Sequence, residues 1–270
     1  MTGDRLPTAT AHQARLGMFQ PTRRPIYIQR EITTPWGLVR IVGRLGQAHA
    51  DVFEALFYSA EDYGPLLDED GGERIKLLVD PAKVRRLTRQ DGTGLKTMLD
   101  ELTTALIEIK EPEHLRCIGH LIDHIGLAAR QDGSYVTKPN PMGGERHLLR
   151  IEIGKAAVHL LRHDMGLWRD PSPIAKMRRG ISQSVARLML THSPTKQPTG
   201  GFRLDKVLEQ VCGPLAQQEA RNRRRELRAD ADNLAAIGIV ICGDRIICYR
   251  REERKRIQTG SLSMNHEASV

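Results

Sequence analysis

The spacing of hydrophobic and polar positions changes period several times along the chain. Residues 1–20 hold no sustained pattern and are expected to be a flexible lead-in. From Pro25 to Val42 the pattern is extended, with Ile26, Ile28 and then Leu38 to Val42, broken at Thr34-Pro35. Gln47 to Ala60 reads as a helix, because Val52 and Leu56 recur on one stripe with Phe53 and Phe57 beside it. A Gly- and Asp-rich loop from Tyr63 to Gly72 precedes a short strand, Ile75 to Val79. Asp80-Pro81 is a helix start, an N-cap residue followed by proline in the first turn. Leu95, Met98, Leu99, Leu102 and Leu106 then recur at helical spacing, and alternation over Leu106 to Lys110 and Leu115 to Leu121 predicts a hairpin. The order is helix, short strand, helix, helix, hairpin, which is that of a winged helix.

The middle section has an extended piece at Tyr135-Val136, a Pro/Gly loop and an alternating strand from His147 to Ile153. A short helix over Lys155 to His163 and a break at Trp168 to Pro173 follow. The first pattern then returns. Ile181, Val185, Leu188 and Met189 mark a helix that Ser182 or Ser184 would cap, and Phe202 to Val211 a second helix closed by Cys212-Gly213. A third helix spans 215–236 and stops at Gly238, and two short strands turn at Gly243-Asp244. The expectation is an α+β chain of two tandem winged-helix domains with flexible ends. Domain 1 covers 21–137, domain 2 covers 138–250, and 251–270 is a basic and polar tail.

Charge changes the picture. The chain carries 41 Lys and Arg against 33 Asp and Glu, a net charge of +8. Residues 1–135 hold 17 basic and 19 acidic side chains while 136–270 hold 24 and 14, so the whole excess lies in the second half. A basic half beside a near-neutral one points to a part that grips a polyanion. Aromatics make up only 4%, which disfavours a single-strand binder built on stacking platforms. No apolar run approaches the ~18 residues of a membrane span, and no secretion signal or lipidation box is visible. A cytoplasmic protein that does not engage membrane is expected, its four cysteines reduced and outside any metal spacing.

Catalytic patterns are missing. Gly154-Lys155-Ala156 lacks the first glycine and the hydroxyl of a phosphate-binding loop. His120/His124 and His159/His163 are each one helical turn apart but have neither the glutamate of H-E-x-x-H nor a third ligand nearby. The paired histidines of a DNA-nicking relaxase and the G-x-S-x-G of a hydrolase do not occur. No enzyme activity, metal or cofactor is expected.

The chemistry concentrates in the third helix of the second domain, LAQQEARNRRRELRADADNLAAIG from Leu215. At about 100° per residue, Ala220, Leu227, Ala231 and Leu234 form the inward stripe. Gln218, Arg221, Asn222, Arg225 and Arg228 point outward, with Arg223 and Arg224 flanking. Arg forms bidentate bonds with guanine and Asn or Gln with adenine, while neighbouring Arg hold phosphates. On this reading Gln218, Arg221, Asn222, Arg225 and Arg228 read bases in a major groove, and Arg223, Arg224, Arg245 and Arg250 grip backbone. Glu219, Glu226, Asp230 and Asp232 favour the plainer reading of a solvated charged face. The matching helix of the first domain offers only Lys96 and Thr97 beside Asp100 and Glu101, so that domain reads as a weaker reader or an assembly surface, with Arg85, Arg86 and Arg89 as phosphate contacts.

The block ISQSVARLML…FRLDKVLEQVCG…RNRRRELRADADNLAAIGIVICGDRIICYR resembles the C-terminal winged helix of TrfA-type plasmid replication initiators, and more distantly of RepC-type ones. The opening MFQPTRRPIYIQREI followed by GRLGQAHADVFEALFYSA is similar to the family's entry into its first domain, and the resemblance spans residues 16–251. It implies a bacterial, plasmid-associated protein that binds direct repeats (iterons) in double-stranded DNA at an origin and opens an adjacent A·T-rich duplex. It also implies partnership with the host replicative helicase and DnaA, and a homodimer in exchange with monomer. A winged-helix repressor without an initiation role, or a protein-interaction module with a basic face, are the alternatives.

Overall fold

The lead-in is more ordered than its polar composition predicts. The computed structural model describes residues 6–34, 37–67, 73–110 and 116–249. Within the first stretch β1 (Ala9–Thr10) pairs antiparallel with β12 (Gly166–Leu167), and α1 (Ala11–Arg15) follows. Thr10 and Gln13 form a reciprocal cap on α1. Met18 and Phe19 are buried in the first hydrophobic core, so residues 6–20 are anchored by apolar burial.

Two four-stranded antiparallel sheets build the first unit. One runs in the order β2 (Ile28–Thr34), β3 (Gly37–Gly43), β6 (Leu106–Lys110), β7 (Arg116–His120). The other runs β4 (Ala60–Leu67), β5 (Glu73–Val79), β11 (Leu149–Ile153), β8 (Ile122–Leu127). Alternation sends Val39 and Ile41 of β3, and Ile107 and Ile109 of β6, into the core. Opposite them Arg40 faces Glu108 across the ladder at 3.6 Å. The helices are α2 (Gln47–Ser59), α3 (Pro81–Thr88), α4 (Gly92–Thr104) and α5 (Lys155–His163). All of α2 except Tyr58 is buried, which makes it the central helix of the molecule. Asp80 caps α3 through the Ala82 amide as its spacing predicts. A small hairpin, β9 (Thr137–Pro139) with β10 (Glu145–His147), leads into β11.

Three expectations need correction here. The loop expected from Tyr63 to Gly72 begins as strand, since β4 extends from Ala60 to Leu67. The hairpin β6–β7 pairs through β6 with β3, which precedes α2, while β5 pairs with β4 and β11. The first unit therefore departs from winged-helix strand pairing. The domain boundary also moves. β11 is hydrogen-bonded to β5 and β8, and Ala156, Ala157, Val158 and Leu160 of α5 belong to the first core, so residues 138–163 fold with the first unit rather than the second.

The second core gathers residues from Ile174 to Cys248. α6 (Ser172–Ala175) leads into α7 (Gly180–Met189), which is buried along its whole length. Ser182 and Ser184 lie inside α7 and are buried; the cap position is Arg179, so neither serine caps it. Next come β13 (Phe202–Arg203), α8 (Leu204–Cys212), α9 (Gln217–Arg228), α10 (Ala231–Ala235), β14 (Ile239–Cys242) and β15 (Arg245–Cys248). The three strands pair in the order β13-β15-β14. The helix expected over 215–236 is interrupted. Asp230, of a residue type that favours helix starts over interiors, stands at the start of α10.

A buried polar network joins the two units. Arg187 of α7 donates to Asp51 (2.7 Å), Glu54 (2.9 Å) and Gln47 (2.7 Å) of α2. Arg169 bonds Glu54 at 2.6 Å, while Gln183 and Arg23 each reach Asp51 at 3.0 Å. Burial alone would raise the Glu54 carboxyl, but Arg169 and Arg187 outweigh it and hold it below the ordinary carboxylate range.

Candidate nucleic-acid interface

α9 is held to the second core by little more than Leu227, the buried residue of that helix, with Leu234 continuing the stripe in α10. Ala220 and Ala231 are half-buried beside them. This anchoring leaves Gln218, Arg221, Asn222, Arg225 and Arg228 exposed, as the helical wheel predicts. They rise from one helix and share its outward side, a strip carrying three guanidinium groups and two amides.

The arginines divide by what they already hold. Arg221 and Arg225 make no side-chain hydrogen bond or ion pair with any described residue. Arg228 donates to the Gly243 carbonyl at 3.1 Å, tying the end of α9 to the turn between β14 and β15. Arg245, on that hairpin, donates to the Gly201 carbonyl at 3.2 Å. Arg224 is bound to Asp205 in the first turn of α8, with Nε at 2.7 Å and Nη2 at 2.6 Å. Arg223 bridges Glu226 (3.1 Å) and Glu219 (3.4 Å) along its own helix. Burial lowers the affinity of Arg223 for its proton, yet Glu226 and Glu219 more than restore it. Arg223 and Arg224 are thus committed to intramolecular pairs, and the Arg224–Asp205 pair ties α9 to α8. Such half-exposed pairs are worth about 0–1 kcal/mol, so phosphate can compete for either guanidinium. Arg250 lies outside the described residues.

In the first unit the outward side of α4 neutralises itself. Lys96 pairs with Asp100 at 2.7 Å, and Glu101 is taken by Arg44 and His49. Arg85, Arg86 and Arg89 are exposed and have no ion pair with a described residue. The sequence reading missed the α2–α7 network. Its signal was Gln47, Asp51 and Glu54, polar at helical spacing in a helix whose Ala, Val, Phe and Leu positions leave it buried on almost every side.

Other chemistry is muted. Burial pushes the Cys212 and Cys248 thiols up to about 11, so both stay protonated and act as small apolar groups. His120 Nδ1 lies 3.0 Å from the Ala105 carbonyl, and the rings of His159 and His163 stack at 4.5 Å. Among the described residues no three His, Cys, Asp or Glu side chains gather as a metal-holding group, and no helix is long and apolar enough to cross a membrane.

No family model matches the chain, and no curated protein matches it. Two solved structures are similar in overall course. A crystal structure of selenomethionine-labelled domains 2 and 3 of RctB superposes with a TM-score of 0.46 at 11% identity, covering 82% of this chain and 85% of that one. A second crystal structure of RctB domains 2–3 gives 0.44 at 13% identity, covering 84% and 83%.

Proposed function

We propose that this chain is a sequence-specific duplex DNA-binding protein that initiates plasmid replication at repeated origin sites, without a catalytic centre of its own. The observation that carries the DNA-binding reading is the outward side of α9, where Gln218, Arg221, Asn222, Arg225 and Arg228 are exposed together and Arg221 and Arg225 are unpaired among the described residues. We read residues 174–248 as a winged helix, with α7, α8 and α9 as its three helices, β13 as its first strand and β14–β15 as the wing. A helix of this width enters a major groove, where Arg discriminates guanine and Asn or Gln adenine. Arg228 fastens α9 to the wing turn, and Arg245 ties the wing to Gly201 before β13, so helix and wing approach one duplex as a rigid pair.

The initiator role rests on the resemblance of residues 16–251 to TrfA-type proteins. Origin opening would then draw on binding energy spent in deforming DNA, and the helicase, DnaA and homodimer partnerships belong to the same proposal. The test is selection from a randomised duplex library followed by footprinting on the DNA that flanks the gene. Protection of direct repeats beside an A·T-rich tract supports the initiator. Protection confined to an inverted repeat at a promoter replaces it with a repressor, and failure to enrich any duplex overturns DNA binding altogether.

A further inference from the structure

A second cationic surface lies at the seam between the two units, where two arginine pairs far apart in sequence meet. The segment Thr22–Pro25 threads between the start of α2 and the start of α7. Both crossing points are glycines. A Cβ on Gly46 would lie 2.7 Å from the Thr22 carbonyl oxygen, and one on Gly180 would lie 2.4 Å from the Thr22 Cα and 2.8 Å from the Arg23 nitrogen. The missing side chains therefore let Thr22-Arg23 pass directly against Gly180, which brings the Arg23-Arg24 and Arg178-Arg179 stretches of chain close together.

The side chains then sort by direction. Arg23 turns inward to Asp51. Arg24 is exposed on the other side of the same segment, and Lys176, Arg178 and Arg179 are exposed on the approach to α7. Met177, buried at 1% exposure, pins the backbone between them. None of these four cations makes a side-chain hydrogen bond or ion pair with a described residue. The carboxylates of the network at this seam are buried and already shared, Asp51 by Arg187, Arg23 and Gln183 and Glu54 by Arg187 and Arg169. Many other lysines and arginines are met by nearby acids, as at Lys83–Glu61, Arg146–Asp80 and Arg224–Asp205, while Arg85, Arg86 and Arg89 of α3 and Arg221 and Arg225 of α9 also have no ion pair with a described residue. Four cations close in the chain's course and without an ion pair among the described residues mark a surface suited to an external polyanion.

We propose that Arg24, Lys176, Arg178 and Arg179 form a phosphate clamp that holds the DNA backbone at the seam. This rests on the duplex-binding reading of α9 and extends it. α7 runs from the clamp and packs on α9, so the seam and the reading helix are parts of one rigid body. The clamp contributes affinity and salt dependence but no base preference, because phosphates carry no sequence.

The test compares wild type with R24A/R178A/R179A on the duplex recovered by selection and on a random duplex. The substituted side chains are exposed, and an unchanged melting temperature verifies the fold. Each phosphate contact contributes about 0.9 to the slope of log K against log salt. The variant is expected to lose roughly two to three units of slope and at least about tenfold in affinity on both duplexes, with their ratio preserved. Ethylation of individual phosphates should expose two or more positions that weaken wild type and leave the variant indifferent. If wild type binds with a steep salt slope and the variant matches its slope and ethylation pattern, the clamp is wrong while the α9 reading stands. If wild type has no salt-dependent duplex affinity, both fall together.

Discussion

Replacing Arg187 by leucine removes three hydrogen bonds at once, to Asp51, Glu54 and Gln47, from a place where the guanidinium is 4% exposed. The carboxylates are not wholly abandoned. Asp51 keeps Arg23 and Gln183, and Glu54 keeps Arg169. Charge-assisted bonds are worth about 1.5–3 kcal/mol each, and removing one partner of a buried ion pair costs about 3–5 kcal/mol. The surviving partners place the expected loss in that second range, a large part of the roughly 5–15 kcal/mol that holds an ordinary domain folded. Urea unfolding followed by circular dichroism is the assay. The variant should show a midpoint well below wild type, with the two cores unfolding separately. Arg187→Lys keeps the charge without the three-way fork and should fall between. A loss under about 1 kcal/mol with one unchanged transition would refute the claim that this network joins the units.

Arg225→Ala should cost about 1–3 kcal/mol on the selected duplex and flatten its base preference, read by competition anisotropy against single-base variants. Arg224→Ala should weaken selected and random duplex alike and change the unfolding free energy from urea titration by no more than about 1 kcal/mol, since its pair with Asp205 is half exposed. Stability should fall in acid through Asp80. Burial would raise that carboxyl, but Arg146 and the Ala82 amide hold it below its ordinary range, so its contribution is complete above the unfolded value of about 3.9 and is lost as pH drops through the folded one. Melting temperatures of wild type and Asp80→Asn should therefore converge as pH falls below that range, and a constant gap would contradict the assignment. Gly180→Ala should destabilise strongly, because the new methyl meets backbone rather than a side chain that can move; a melting temperature equal to wild type would show that the threaded segment is free to shift.

Much of the second unit was legible because its elements keep a single period. Ile181, Val185 and Leu188 predict α7, Val207, Leu208 and Val211 predict α8, and Gly243-Asp244 marks the hairpin turn. The exposed side of α9 followed from the same arithmetic. β4 was hidden because Gly64 and Pro65 interrupt it, which an edge strand tolerates and a central one does not. The boundary at 137/138 failed for a different reason. Alternation from His147 to Ile153 announces a strand but not its partner, and the partner is β5, where Ile151 faces Leu77. Long-range partners also decided which arginines are free. Nothing local tells Arg224, bound to Asp205 on another helix, from Arg225, which has no such partner among the described residues.

The central claim, that the outward side of α9 and the cations around it hold duplex DNA, is tested most directly by the dependence of affinity on salt. Anisotropy titrations of the whole chain against a duplex, from 50 to about 300 mM salt, give the slope of log K against log salt. With about six to ten phosphates neutralised the slope should lie between roughly −5 and −9, with the selected duplex bound more tightly than a random one at every concentration. A slope near zero, or no binding to either duplex at the lowest salt, would contradict the account.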